Sequence, residues 1–313
     1  MRHLIPSVLA MFRNGWRGLF SPAGFFLCFF LFLIITGTRV EDLSATEVVE
    51  MDGIIRRMEN DKIGRRFQPG RNVSLQCARL TLDPVRALHR PLALYAAMRL
   101  LWMLSSVFLF SKGFRRHSSG PITYWFRRPE EEAAEGEPLV FIHGIGIGVI
   151  PYHWFLSACW SSRATFVVEL PHISMQLSGH NDQLSVEQTV DAIDHMLRAH
   201  QIQSACFMGH SFGSICVTWI IKHRPHCVLS VVLLDPVCFL LFLPDVCQNF
   251  VYRQPTIMGS SLMQWVVHYF AKRELNIAHT LSRHFWWYRN ILWAICLHPL
   301  PRLTCTRTDS SGG

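Results

Sequence analysis

The chain has 313 residues, long enough for one large or two ordinary domains, and it is 50% hydrophobic but only 17% charged, a balance that suggests membrane contact. Its net charge is +8, and the basic surplus sits in residues 1–120, with 17 Lys/Arg against 8 Asp/Glu. No nucleic-acid-binding motif accompanies that surplus, so it is read as a match for anionic lipid headgroups, with no nucleic-acid partner expected.

Leu19 to Gly37 carries no charge and contains the unbroken apolar run Phe25–Ile35, with Arg2, Arg13 and Arg17 before it. This reads as a membrane anchor over residues 1–40. A cleaved signal peptide is the competing reading, but no small-x-small cleavage site follows. Residues 41–120 read as a basic linker, with a helix expected over Glu47–Glu59 and a second hydrophobic helix over 92–110. That second segment is interrupted by Arg99, which at mid-bilayer would cost about 2.5–3.5 kcal/mol. A second span and an interfacial helix both fit, and Lys112, Arg115 and Arg116 are expected at the cytoplasmic membrane surface. Ten cysteines form no Cys-x-x-Cys pair, so most are expected to be small buried hydrophobes in a reducing compartment, which places the catalytic domain in the cytosol. The sequon Asn72-Val73-Ser74 decides little.

From Pro121 onward, strands alternate with helices. Strands are expected at Ile122–Arg128, Leu139–Ile142, Thr165–Leu170, Ala205 to the Gly-x-Ser-x-Gly motif, and Val228–Leu234. Ser185-Val186-Glu187-Gln188 is a capping box opening a helix toward His200. The acidic stretch at 130–137 reads as a solvated hairpin turn. This pattern predicts an α/β protein with a doubly wound, mostly parallel sheet, a core over 121–236, and a cap-like helical segment and tail over 237–313. Leu262–Phe270 and Phe285–Leu297 read as aromatic amphipathic helices of that cap, and Thr304–Gly313 as a polar tail.

Two motifs fall at strand ends. His143-Gly144-Ile145-Gly146-Ile147-Gly148 follows the Leu139–Ile142 strand and can aim backbone amides into a cleft, with His143 expected to brace the turn. A phosphate cradle is the alternative, but the register of Gly-x-Gly-x-x-Gly is missing. Gly209-His210-Ser211-Phe212-Gly213 lies between a strand and a helix. That is the context in which a strained turn exposes a nucleophilic serine, here Ser211.

With these residues in view, the chain resembles the α/β-hydrolase superfamily, in particular a membrane-associated serine-hydrolase branch. The likeness rests on His143-Gly144, the Ser211 turn, and Leu233-Leu234-Asp235-Pro236. It extends over Phe141–Gly148, Gly209–Ser214, Asp235–Val246 and Leu281–Trp293. The resemblance implies an esterase- or lipase-like enzyme acting on a lipid or small-molecule apolar acyl ester, with no cofactor and no metal. Ser211 would attack the acyl carbon, and the amides of Phe212 and Ile145 would form the oxyanion hole. The family's acid and base follow later strands, yet only 79 residues follow Leu234 and they contain no obvious further pair of strands. Asp235 is a candidate acid and His298 a candidate base, against Asp245, Glu274, Asp309, His223, His226, His268, His279 and His284. A truncated product that has lost the last strands, or a triad rearranged around Asp235, are the two expectations. The former makes a non-catalytic binding protein the alternative function.

Overall fold

Alternate residues of Leu139-Val140-Phe141-Ile142 enter opposite cores, and all four are fully buried, as a central parallel strand requires. Each such side chain contributes about 1.5–3 kcal/mol by leaving water. The computed structural model describes residues 44–64, 66, 80–81, 83–129, 136–160, 163–176, 183–256, 259–293, 296 and 303–306. The expected anchor over 1–40, the sequon at Asn72 and His298 lie outside the described residues.

The chain divides into two units, Met1–Asp83 and Pro84–Gly313. In the first, the helix expected over Glu47–Glu59 is α1 (Ala45–Met58), which begins two residues earlier because Ser44 and Glu47 form a reciprocal capping box. The second unit opens with α2 (Leu92–Ser111), followed by the strands β1 (Arg115–Ser119), β2 (Ile122–Arg127), β3 (Leu139–Ile142) and β4 (Thr165–Glu169). Then come α3 (Val186–Ala199), β5 (Ala205–His210), α4 (Gly213–His223), β6 (Val228–Leu234) and β7 (Leu303–Thr306). The sheet order is β1-β2-β4-β3-β5-β6-β7. β2 runs antiparallel to both β1 and β4, and the other pairings are parallel. The expected doubly wound, mostly parallel α/β architecture is the observed one.

One face of the sheet (Val140, Ile142, Phe166, Val168, Phe207) packs with Val190, Ile193 and Leu197 of α3 and Ile215 and Ile220 of α4. The other face (Leu139, Phe141, Val167, Met208) meets Leu109 of α2, Val149, Leu156 and Trp160. Cys206, Cys216 and Cys227 are buried thiols, as their apolar surroundings predict.

Three expectations are corrected. The sheet starts before Pro121, because Arg115–Ser119 forms β1. Arg116 there pairs with the buried Glu169 at 3.3 Å, so β1 carries a polar sequence that no hydrophobic pattern flags. The stretch beginning at Thr304 is not only a polar tail: Leu303–Thr306 adds a further strand parallel to β6. That run is short and half polar, below what periodicity detects, and it is the one strand after Leu234 among the described residues. Finally, among the described residues of the Phe285–Leu297 stretch, the α-helix spans Trp287–Asn290 and residues 291–293 are not helical. The Trp219 indole donates to Asn290 Oδ1 (3.0 Å) and Leu292 N–H to Cys238 O (2.8 Å), which draws the following residues out of the helix. Leu262–Val266 does form the expected helix, continuing to Lys272 in wider turns.

α2, 20 residues long, is long and apolar enough to cross a membrane, with mean hydropathy 1.7 over an 18-residue window. One stripe of it is tied to the sheet unit. The Tyr95 hydroxyl donates to Glu274 (3.0 Å), the Trp102 indole to Glu169 (3.2 Å), and Ser105 bonds His153 (2.9 Å). Leu109 is fully buried. Leu100, Leu101, Leu104 and Val107 on the other side are exposed. Glu169 is the joint of this arrangement, since Oε1 also accepts the Trp125 indole N–H at 2.9 Å. Glu169→Leu leaves two indole donors and Arg116 without their acceptor. It is expected to cost about 2–3 kcal/mol in denaturant unfolding, with Glu169→Gln milder.

Candidate active site

β3 and β5 are neighbours at the centre of the sheet, and the chain leaves them in opposite directions. Their carboxyl ends therefore open at a topological switch point. Ser211 stands at that edge with φ +50°, a left-handed conformation that costs a non-glycine residue about 1–2 kcal/mol. Hydrogen bonds hold the turn: Ser211 N–H donates to Leu234 O (3.0 Å), and the buried Ser214 Oγ donates to Ser211 O (2.6 Å). Ser214 Oγ also accepts Val237 N–H (3.1 Å), which couples the turn to the loop after β6.

The glycines around Ser211 are dictated by contact. A Cβ on Gly213 would lie 2.1 Å from Ile142 O, and one on Gly209 would lie 2.7 Å from the Gly213 carbonyl. A Cβ on Gly144 would meet Ser211 Cβ at 2.9 Å. The glycine loop after β3 thus packs directly against the serine. The Gly144 amide is taken by Tyr152 Oη (3.2 Å). Neither the Ile145 nor the Phe212 amide N–H bonds another loop or a side chain among the described residues.

His143 is buried beneath this loop. Nδ1–H donates to Gly144 O (2.8 Å) and Nε2 accepts Leu170 N–H (3.0 Å), which fixes one neutral tautomer. It braces the loop, as expected. Burial, reinforced by the His210 charge, pushes its pKa down to about 4. His172, packed against Phe212 with ring centroids 6.2 Å apart, is also pushed down to about 4, by burial first and then by His143 and His284. Its Nδ1 is buried without a hydrogen-bond partner. In the unfolded chain both rings titrate near 6.5, so between those values the unfolded state binds more protons. Their contribution to stability is therefore complete above about pH 6.5 and is lost as pH falls toward 4, by up to about 1.4 kcal/mol per pH unit for each ring. Thermal unfolding at pH 7, 6 and 5 is expected to show this fall, with a His172→Gln variant losing about half of the slope.

The candidate residues are placed as follows. Ser211 and the Ile145 and Phe212 amides share the β3–β5 edge. Asp235 lies at the end of β6 with φ +44°, exposed, where its charge opposes the burial that lowers the His210 pKa. Among the described residues no histidine hydrogen-bonds the Ser211 hydroxyl, and His298 lies outside them. Glu274 is a structural acid: it accepts Tyr95 Oη–H and the Ile277 N–H (2.9 Å). The sequence reading missed Tyr152, whose hydroxyl bonds His210 Nδ1 at 2.8 Å and so joins the glycine loop to the residue before Ser211. A lone Tyr before a five-residue helix carries no sequence signal, whereas His210 could have been noticed inside the Gly-x-Ser-x-Gly motif. Away from this edge, Asp194, His226 and Cys227 place ligand-type atoms within 4.8 Å of one another. There Arg198 (2.7 Å) and Arg224 (3.5 Å) already supply positive charge to Asp194.

No family model matches the chain, and no curated protein sequence does. Among solved structures it is similar to a membrane phospholipase A described as a bacterial virulence factor (16% identity, TM-score 0.44, 69% of this chain and 85% of that one). It is also similar to a serine hydrolase from Cycloclasticus zankles (13%, TM-score 0.41, 62% and 79%). A third is a meta-cleavage product hydrolase from Pseudomonas fluorescens IP01 (14%, TM-score 0.42, 62% and 78%). The deciding features belong to the chain itself: a central parallel sheet with an antiparallel β2, and a strained serine in a glycine-hemmed turn between β5 and α4. The chain has the α/β-hydrolase fold.

Proposed function

We propose that the protein is a membrane-associated serine hydrolase of esterase or lipase type acting on an apolar acyl ester. The observation that carries this reading is Ser211 at φ +50°, raised at the end of β5 and hemmed in by Gly144, Gly209 and Gly213. In the proposed reaction Ser211 Oγ attacks the ester carbonyl, and the tetrahedral oxyanion accepts the N–H groups of Ile145 and Phe212. Such donors are worth roughly 2.7–4 kcal/mol each in the transition state. Asp235 as acid and His298 as base complete the proposal: the base takes the serine proton and returns it to the leaving alcohol. The exposed apolar side of α2 supports a site held at a lipid surface, with the catalytic unit on the cytosolic side.

Hydrolysis of p-nitrophenyl esters of graded chain length tests the reading. Activity should rise from acetate to longer acyl chains, vanish in Ser211→Ala, and fall strongly in His298→Ala. The second reading, a hydrolase-fold protein that binds without turnover, is favoured by one observation: no described histidine bonds the Ser211 hydroxyl. It predicts that wild type and Ser211→Ala do not differ in any hydrolysis assay while still binding the same lipid.

A further inference from the structure

On the same unit, away from Ser211, positive charge gathers in excess of the carboxylates among the described residues. Arg90 is only 2% exposed and Arg273 only 6%. Arg90 donates to the carbonyls of Leu88 and His89 (3.3 Å each) and of Tyr269, and its guanidinium lies over the Tyr269 ring at 3.7 Å. Arg273 donates to Arg86 O (3.0 Å). Backbone carbonyls satisfy hydrogen bonds but do not neutralise charge, so a buried guanidinium with only such partners is expensive. Arg86, Arg253, Lys272 and His268 lie around the same place, and among the described residues none of these cations forms an ion pair with a carboxylate. The nearby buried Glu274, which accepts hydrogen bonds from Tyr95 and the Ile277 amide, keeps its charge and offsets only part of this excess. Arg90 Nε and His268 Nδ1 are buried with no hydrogen-bond partner. Beside His268 and Arg273 opens a cavity of about 500 Å³, lined by Arg86, Ala87, Leu88, Gln254, His268 and Arg273.

We propose that this cavity is a binding site for a phosphate group, held by Arg86, Arg273 and His268. Guanidinium forks match phosphate oxygens in geometry, and a dianion supplies the charge that the protein leaves out. Burial and the neighbouring Arg86 already push the Arg273 pKa down, which is the cost a bound anion would relieve. Leu262, Met263, Trp265, Tyr269 and Phe270 are exposed on the helical run that carries His268, so a phosphate with an acyl tail would find apolar surface beside its headgroup. The proposal is independent of the hydrolase reading and uses no residue of the Ser211 edge.

The test is isothermal titration of the purified full chain, in neutral detergent at constant ionic strength. The probes are inorganic phosphate, glycerol 3-phosphate and dihexanoyl phosphatidate, with dihexanoyl phosphatidylcholine as the zwitterionic control. Binding should weaken by about tenfold or more in Arg86→Gln, whose side chain is exposed and whose loss should spare the fold, and also in His268→Ala. It should be unchanged in Ser211→Ala. Phosphatidate binding at least about tenfold tighter than inorganic phosphate assigns a lipid headgroup, whereas equal binding assigns a soluble phosphate; either supports the site. If none of the three anions binds, or if Arg86→Gln and His268→Ala bind them as wild type does, the proposal is overturned.

Discussion

Ser211→Ala is expected to lower ester turnover by on the order of 10⁴- to 10⁶-fold while leaving the fold intact. No other group at the β3–β5 edge can replace an attacking oxygen in that position. The Ile145 and Phe212 amides would stabilise an oxyanion but cannot create one. The hydroxyl makes no structural hydrogen bond among the described residues, so its removal should leave unfolding nearly unchanged. Ser211→Gly adds a second readout. Glycine adopts φ +50° freely, so this variant should be equally inactive yet more stable by about 1 kcal/mol. A chain that gains stability as it loses activity carries strain that serves catalysis and not folding.

Gly213→Ala should have the largest effect on folding, about 3–5 kcal/mol, enough to unfold much of a marginally stable domain. The added methyl would sit 2.1 Å from Ile142 O and 3.0 Å from His143 O. Both are backbone atoms, at the end of β3 and in the residue after it, and cannot swing aside as a side chain would. Gly146→Ala is the useful comparison, because nothing lies within 4 Å of its position and its effect should be limited to local backbone strain. Circular dichroism and thermal melting of the two variants separate steric exclusion from a general intolerance of glycine replacement.

The sequence was most legible where one local pattern determined the structure. Continuous apolar runs marked β3, β5 and β6, Ser185 and Gln188 marked the start of α3, and Gly209 and Gly213 on either side of Ser211 marked the turn. Each of these depends on residues within a few positions of one another. β1 and β7 escaped because Arg-Arg-His-Ser-Ser and Leu-Thr-Cys-Thr are strands by virtue of their partners, β2 and β6, which lie apart in sequence or carry the pairing themselves. The helix expected through Leu297 was ended by Asn290 meeting Trp219, a contact 71 residues apart. The Tyr152–His210 bond and the cation cluster around Arg90 and Arg273 were invisible for the same reason. Hydrogen bonds and charges assembled across the fold leave no periodicity in the chain that makes them.

The central claim is that Ser211 is a reactive nucleophile, and covalent labelling by a fluorophosphonate tests it most directly. The purified full chain should gain one phosphonyl group, mapped by peptide mass spectrometry to Ser211, with labelling slowed by a competing acyl ester and lost in Ser211→Ala. A folded wild-type chain that remains unlabelled, or one labelled equally in Ser211→Ala, would contradict the account.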